Sequence, residues 1–273
     1  MTPSPLRIGM HGASGRMGQA VLALVAATPD LRIGAAWVAP GDPVIGRPST
    51  GHAAAPPFSA ASELAAGLAA CDVVVDFSRP EPALGLFERA AALGVPVVSG
   101  TTGFDAEGLA RLERSAQQVA LLHASNMSVG VSLLLGLLEQ AARALGPEFD
   151  AEILEMHHRH KVDAPSGTAL ALGEAVARGR GRPLAELARY ERVGQTGARP
   201  VGEVGFATLR GGDVVGDHTV IFAGDGERIE LGHRAGHRGI FASGALRAAR
   251  WIVGRPPGRY GMKDVLGLGR PDL

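Results

Sequence analysis

The sequence predicts an α/β protein of two parts: a parallel sheet covered by helices, then an α+β domain with a mixed, largely antiparallel sheet. Three observations carry this. A short apolar strand, a glycine-rich turn and a helix open the chain. Strand-like and helical patterns then alternate at regular spacing as far as Leu145, which is how parallel sheets with right-handed crossovers are built. After Pro200 three strand-like runs follow one another with no helix between them, which favours antiparallel pairing.

The first strand is Leu6 to Met10. The segment GMHGASGRMGQAVLALV overlaps its end, with glycines at Gly9, Gly12, Gly15 and Gly18, and then Val21, Leu22, Leu24 and Val25 at helical spacing. Such glycines permit a tight turn and let a pyrophosphate approach a helix N-terminus closely. In a strand–turn–helix context this reads as a Rossmann-type dinucleotide site, although the spacing is GxxGxxG rather than GxGxxG and a plain βα turn could share it. Arg16 is placed to meet a phosphate. Leu31 to Val38 is the second strand. It ends in Trp37-Val38-Ala39-Pro40, without the acid that commonly holds an adenine ribose. Asp42 and Arg47 lie further on, so NADH and NADPH both stay open. Pro40 to Pro57 reads as a long loop and Ala60 to Ala70 as a helix.

Asp72 to Phe77 (DVVVDF) is a buried-type strand, and a helix starting at Ser78 or Pro80 runs to Leu93, where Gly94 ends it. Val95 to Ser99 is a strand with Gly100-Thr101-Thr102-Gly103 at its end. A helix from Asp105 to Gln118 and a strand from Val119 to Ala124 follow, the latter ending in Ser125-Asn126-Met127-Ser128. Gly12–Met17, Ser78-Arg79, Gly100–Thr102 and Ala124–Met127 therefore occupy carboxyl ends of strands, where such sheets bind ligands.

A helix from Val129 to Leu145 leads into EILEMHHRHKVDAPSGTAL. A strand over Ala151 to Met156 delivers His157, His158, Arg159, His160 and Lys161 to its end. Pro165-Ser166-Gly167-Thr168 then opens a helix over Ser166 to Ala177, whose first N–H groups have no helical partner and favour anions. Together they predict a pocket for a small carboxylate or phosphate compound, with a proton donor among the histidines and the lysine. A solvated basic loop would have the same spacing. No metal is expected, because consecutive strand residues point to opposite faces and no Cys or HExxH spacing is present. A loop rich in Gly, Arg and Pro reaches Pro200. Strands over Val201–Arg210, Asp213–Ala223 and Glu227–Ala235 follow, the last two joined by a Gly224-Asp225-Gly226 hairpin turn. Gly239 to Val253 is helical, Gly254 ends it, and the tail is loop-rich.

The 27 basic and 27 acidic residues balance, so composition gives no footprint for nucleic acid or an anionic membrane. The single cysteine, Cys71, cannot form an intramolecular disulfide and reads as a small buried hydrophobe in a reducing compartment. No apolar run reaches the roughly 18 residues of a membrane span, and MTPSPLR lacks the apolar core of a secretory signal. These features predict a soluble, cytoplasmic protein.

The segments GASGRMG, GTT and ASNM, above all EMHHRHKVDAPSGTAL, and later VGFATLRGGDVVGDHTVIFAGDGERIELGHRA, resemble the 4-hydroxy-tetrahydrodipicolinate (dihydrodipicolinate) reductase family along nearly the whole chain. The resemblance implies an NADH- or NADPH-dependent oxidoreductase of lysine and diaminopimelate biosynthesis acting on a small dicarboxylate. It implies that His157 donates or accepts a proton and that Lys161 donates one. His158, Gly167 and Thr168 would hold the substrate's carboxylates. Gly12, Ala13, Ser14, Gly15, Arg16 and Met17 would hold the pyrophosphate. Gly100, Thr101, Thr102, Ala124, Ser125, Asn126 and Met127 would contact the nicotinamide half. It further implies a dinucleotide domain over 1–127, with 241–273 packing back on it, a substrate and oligomerisation domain over 128–240, and a homotetramer built through the second sheet. The family often carries Glu then Arg at the end of the second strand, and this chain has Val38-Ala39.

Two rivals differ in kind. A dehydrogenase acting on an amino acid semialdehyde would want Cys71 as a nucleophile. A dinucleotide-sensing regulator would bind cofactor with no use for His157 and Lys161.

Overall fold

The computed structural model describes residues 4–50 and 55–268, which fall into two compact units, one within 1–129 and 239–273 and the other over 130–238. The chain begins with β1 (Leu6–His11), α1 (Arg16–Ala26), β2 (Leu31–Val38), β3 (Phe58–Ala60), a single 3-10 turn (Ala61–Glu63) and α2 (Leu64–Leu68). It continues with β4 (Val73–Asp76), α3 (Pro80–Leu93), β5 (Val97–Ser99), α4 (Ala106–Ala116) and β6 (Ala120–His123). The second unit is formed by α5 (Val129–Leu145), β7 (Asp150–His157), α6 (Gly167–Gly179), α7 (Leu184–Leu187), β8 (Ala188–Arg189), β9 (Val204–Arg210), β10 (Asp217–Gly224) and β11 (Glu227–Arg234). The chain then rejoins the first unit as α8 (Gly239–Ile252), β12 (Gly258–Tyr260) and α9 (Met262–Val265).

The first sheet has the order β3-β2-β1-β4-β5-β6-β12, and every neighbouring pair is parallel. Reversal of strand order at β1 is the doubly wound arrangement, with its ligand crevice at the carboxyl ends of the strands. The pleat sends alternate residues to opposite faces. Val73 and Val75 join Ile8, Met10 and the inner faces of α1 and α8, whereas Val74, Val97 and Leu121 pack with Phe87 of α3 and Leu112 of α4. β3, β12 and α9 are absent from the sequence reading. FSA and GRY are too short to show a strand pattern, and both strands sit at sheet edges, where one neighbour suffices.

The second sheet has the order β11-β10-β7-β9-β8. It is mixed, but antiparallel pairing is confined to β7–β10–β11, while β7–β9 and β9–β8 are parallel. The physical reason is the connection: after β7 the chain returns through α6 and re-enters the sheet in the same direction. α7 and β8 lie in the segment read as a loop, and they are only four and two residues long. Ala151, Ile153, Val204, Phe206, Val220 and Phe222 bury one face against Leu138 of α5 and Leu172 and Val176 of α6. The opposite face stays open, with Leu154 and Leu209 among its exposed apolar side chains; Ile229 pairs with Phe222 and so belongs to the covered face, on the edge strand.

Candidate active site

At the end of β1 the chain turns through Gly12, whose φ is +78° and whose added Cβ would lie 2.6 Å from the Phe77 carbonyl oxygen. The amides of Gly12 and Ala13 both donate to Trp37 O, at 3.1 and 2.9 Å, which locks the turn to β2. Gly18 lets α1 pack directly on the carbonyls of Gly12 and Ala13, where any Cβ would overlap them. Gly15 begins α1 with no side-chain cap and no acid in the first turn. A helix of eleven residues thus presents an uncapped N-terminus behind a glycine cradle, which fits a dinucleotide pyrophosphate. Ala13 is buried, and Ser14, Gly15 and Arg16 are exposed at the turn with Met17 half-buried.

Below the carboxyl ends of β1, β4 and β5 lies a buried polar cluster absent from the sequence reading. Asp76 is fully buried and takes hydrogen bonds from His11 Nδ1 (2.8 Å), Ser99 Oγ (2.6 Å) and Thr101 Oγ1 (2.7 Å). Burial alone would raise its carboxyl; the His11 hydrogen bond and charge, with Ser78 and Ser99, outweigh that and hold it low. The Ser78 amide donates to Asp76 and to Thr101 Oγ1, at 3.2 and 3.1 Å. His123 Nε2 meets Thr101 O at 2.9 Å, and the Ala124 amide donates to Ser99 O. Gly100 packs flat against the Phe77 ring, with no room for a Cβ. The Ser78-Arg79, Gly100–Thr102 and Ala124 segments are therefore tied together. The Thr101 side chain is spent on this cluster, Thr102 and Ser125 are exposed, Asn126 Oδ1 accepts from the Ser128 amide, and Met127 lies in the core. The sequence signal for the cluster was an acid closing an otherwise apolar buried strand.

In the second unit the inward residues of β7 run Ala151, Ile153, Glu155, His157, so the apolar face ends in an acid and a histidine. Glu155 Oε2 accepts from His157 Nδ1 at 2.6 Å. The same carboxylate accepts from both terminal nitrogens of Arg210, at 2.9 and 3.0 Å, and from the Ser166 amide at 3.1 Å. Burial would raise Glu155, but Arg210, His157 and Ser166 together hold it below the usual carboxylate range. Ser166 caps α6 by accepting from the Ala169 amide (3.1 Å), and its Oγ lies 3.1 Å from His218 Nε2. The His218 ring stands edge-on to His157 at 5.1 Å. Burial first and His157 second push His218 down to about 4.

Glu155 thus links the end of β7 to the start of α6. It brings His157 and Ser166 together ahead of Gly167 and Thr168, the first two positions of that helix. His158 follows with a buried Nδ1 that has no partner among the described residues, and burial and the charges of Arg238 and His160 lower it. Lys161 does not stand among cations alone: its ammonium holds both oxygens of Asp163, at 2.7 and 2.8 Å. His158, Arg159 and His160 with Gly212 and Asp213 line an open cavity of about 660 Å³. Glu155, Arg210 and His218 were not among the residues singled out from the sequence, whereas Ser166 was, as the start of the helix. For Glu155 the signal was a charged residue in register with the buried face of a strand.

Cys71 is buried, its thiol pushed up to about 12 chiefly by burial, and it fills space against Gly9 and Gly34. Such a thiol is no nucleophile. Among the described residues no group of three His, Cys, Asp or Glu side chains could hold a metal ion, and no helix is long and apolar enough to cross a membrane.

The N-terminal domain model of dihydrodipicolinate reductase matches residues 6–127, and the C-terminal one matches residues 130–266. The 4-hydroxy-tetrahydrodipicolinate reductase of Thiobacillus denitrificans is 53% identical over 264 residues, covering 96% of this chain and 99% of the relative. That of Nitrosomonas europaea is 48% identical over 266 residues, covering 97% and 99%. Among solved structures, a dipicolinate-bound dihydrodipicolinate reductase from Paenisporosarcina sp. TG-14 shares the fold, with a TM-score of 0.76 at 24% identity over 95% of this chain and 99% of that one. The matches run through both units, glycine turn and histidine cluster included, and on them the chain belongs to the dihydrodipicolinate reductase family.

Proposed function

We propose that this chain reduces 4-hydroxy-tetrahydrodipicolinate, by way of dihydrodipicolinate, to tetrahydrodipicolinate with NADH or NADPH, in lysine and diaminopimelate biosynthesis. The observation that carries the reading is the Glu155–His157 pair at the end of β7, tied through Ser166 to the start of α6, in a chain that also holds a glycine cradle. The substrate is a cyclic imine bearing two carboxylates. Loss of water gives a conjugated ring. Reduction then adds a hydride to the carbon that bore the hydroxyl and a proton to its neighbour, and the bound reduced nicotinamide supplies the hydride.

The chain's own residues do the rest. An ionised Glu155 can only accept, so His157 donates from Nδ1, and Nε2 is left to exchange a proton with the substrate. Lys161 is the second proton donor. His158, Gly167 and Thr168 hold the carboxylates, helped by the helix N-terminus. Gly12, Ala13, Ser14, Gly15, Arg16 and Met17 hold the pyrophosphate. Gly100, Thr101 and Thr102 with Ala124, Ser125, Asn126 and Met127 frame the nicotinamide half. For Thr101 and Met127 this role falls to the backbone, since both side chains are buried.

The second unit also carries oligomerisation in this reading. Leu154 and Leu209 are exposed apolar residues on the open face of its sheet, which suits burial against other copies, and the assembly is a homotetramer acting in the cytoplasm. Light scattering of the purified protein tests the copy number.

The deciding experiment follows absorbance at 340 nm, with substrate made in situ by the preceding synthase from pyruvate and aspartate semialdehyde, and NADH and NADPH run in parallel. Cofactor oxidation that depends on the synthase product is expected. Cofactor binding without oxidation would favour a dinucleotide sensor instead.

A further inference from the structure

Dinucleotide sites of this kind hold the adenosine ribose with a carboxylate at the end of the second strand. β2 ends in Val38 and continues as Ala39-Pro40, which offers none. The loop beyond it turns back. Gly41 takes φ +81° in open space, and the Asp42 amide donates to Ala39 O at 3.1 Å. This carries Asp42 to the glycine turn, where its Oδ2 accepts from Ser14 Oγ at 2.8 Å and its Oδ1 from the Val44 amide at 3.0 Å. Two hydrogen bonds leave a carboxylate with further acceptor capacity. Among the described residues Asp42 enters no ion pair, and its carboxylate lies at the pyrophosphate turn.

We propose that Asp42 is the ribose-binding acid of this chain, anchored by Ser14, and that it selects NADH over NADPH. The inference rests on the glycine turn being the cofactor site of the proposed reductase. The 2′- and 3′-hydroxyls of a ribose donate hydrogen bonds, and a carboxylate held on the turn accepts them. A 2′-phosphate has no proton to give there and carries nearly two negative charges. About 5 Å from Asp42, even with the full screening of water, the repulsion is worth about tenfold in affinity. The Ser14 hydrogen bond keeps the carboxylate from swinging aside.

The test is direct binding of NADH and of NADPH to the full chain by calorimetry, in wild type, Asp42→Asn and Ser14→Ala, with no substrate present. Wild type is expected to bind NADH about tenfold or more tighter than NADPH. Asp42→Asn should weaken NADH, strengthen NADPH and bring the ratio near one. Ser14→Ala should lower it part of the way. Circular dichroism checks that the variants fold, which a half-exposed loop site should allow. Equal affinities or a preference for NADPH in wild type, with Arg16 or Arg47 gripping the 2′-phosphate, would overturn the proposal. So would an unchanged ratio in Asp42→Asn. NADH selectivity without synthase-dependent turnover would sink the reductase reading and leave this one standing.

Discussion

Glu155 Oε2 and His157 Nδ1 lie 2.6 Å apart on the same face of one strand, and Arg210 and the Ser166 amide also donate to the carboxylate. The carboxylate therefore sets which imidazole nitrogen carries the proton. In Glu155→Gln an amide can accept from Nδ1 or donate to it, so the tautomer is no longer fixed. Turnover should fall by about one to two powers of ten, less than for loss of a general acid itself. The ring nitrogen-15 shifts of His157 should move when the carboxylate no longer fixes Nδ1. Unchanged shifts and unchanged kcat would remove Glu155 from the mechanism.

His157→Ala and Lys161→Met remove the proposed proton donors. Each should lower kcat by about two to four powers of ten. Asp163→Asn should cost far less, because the Asp163 side chain is 57% exposed and exposed ion pairs are weak. Near-normal turnover in folded His157→Ala and Lys161→Met would end the assignment.

The parallel sheet was legible because its strands are short apolar runs separated by helical periods, and β2 matches its expected bounds, Leu31 to Val38, at both ends. The histidine cluster and the helix start were legible because EMHHRHKVDAPSGTAL puts them next to each other. What stayed hidden was created by the fold. His11 and Asp76 lie 65 residues apart and meet only because β1 and β4 are neighbours. Arg210 reaches Glu155 because β9 pairs with β7, and His218 reaches Ser166 across 52 residues. Asp42 was visible as an acid beyond the strand, but its return to Ser14 depends on a loop turn with no periodic signature.

Gly12 combines a left-handed φ of +78° with a neighbouring carbonyl 2.6 Å from where a Cβ would sit. Gly12→Ala must strain the turn or push Phe77 away, and either moves the cradle. A loss of about 1–3 kcal/mol in stability is expected from the backbone conformation alone. NADH affinity should fall with it. Urea denaturation and calorimetric titration of the variant check the two effects separately, and wild-type affinity would show that the turn does not contact the cofactor.

His218 should make the second unit acid-sensitive. Its Nδ1 is buried with no partner among the described residues, and burial, with His157 next, pushes the ring from 6.5 down to about 4. Between these values the unfolded chain takes up a proton that the folded state refuses, so stability rises with pH and is lost as pH falls through the window. The difference corresponds to about 3 kcal/mol once pH is below both values, and to about 2 kcal/mol near pH 5. In His218→Asn this contribution disappears. Urea unfolding of both proteins at about pH 7.5 and about pH 5 should show wild type losing about 2 kcal/mol more than the variant across that interval. Carboxylates such as Glu155 titrate lower and affect both proteins alike, so parallel pH courses would mean that the ring is not held neutral by burial.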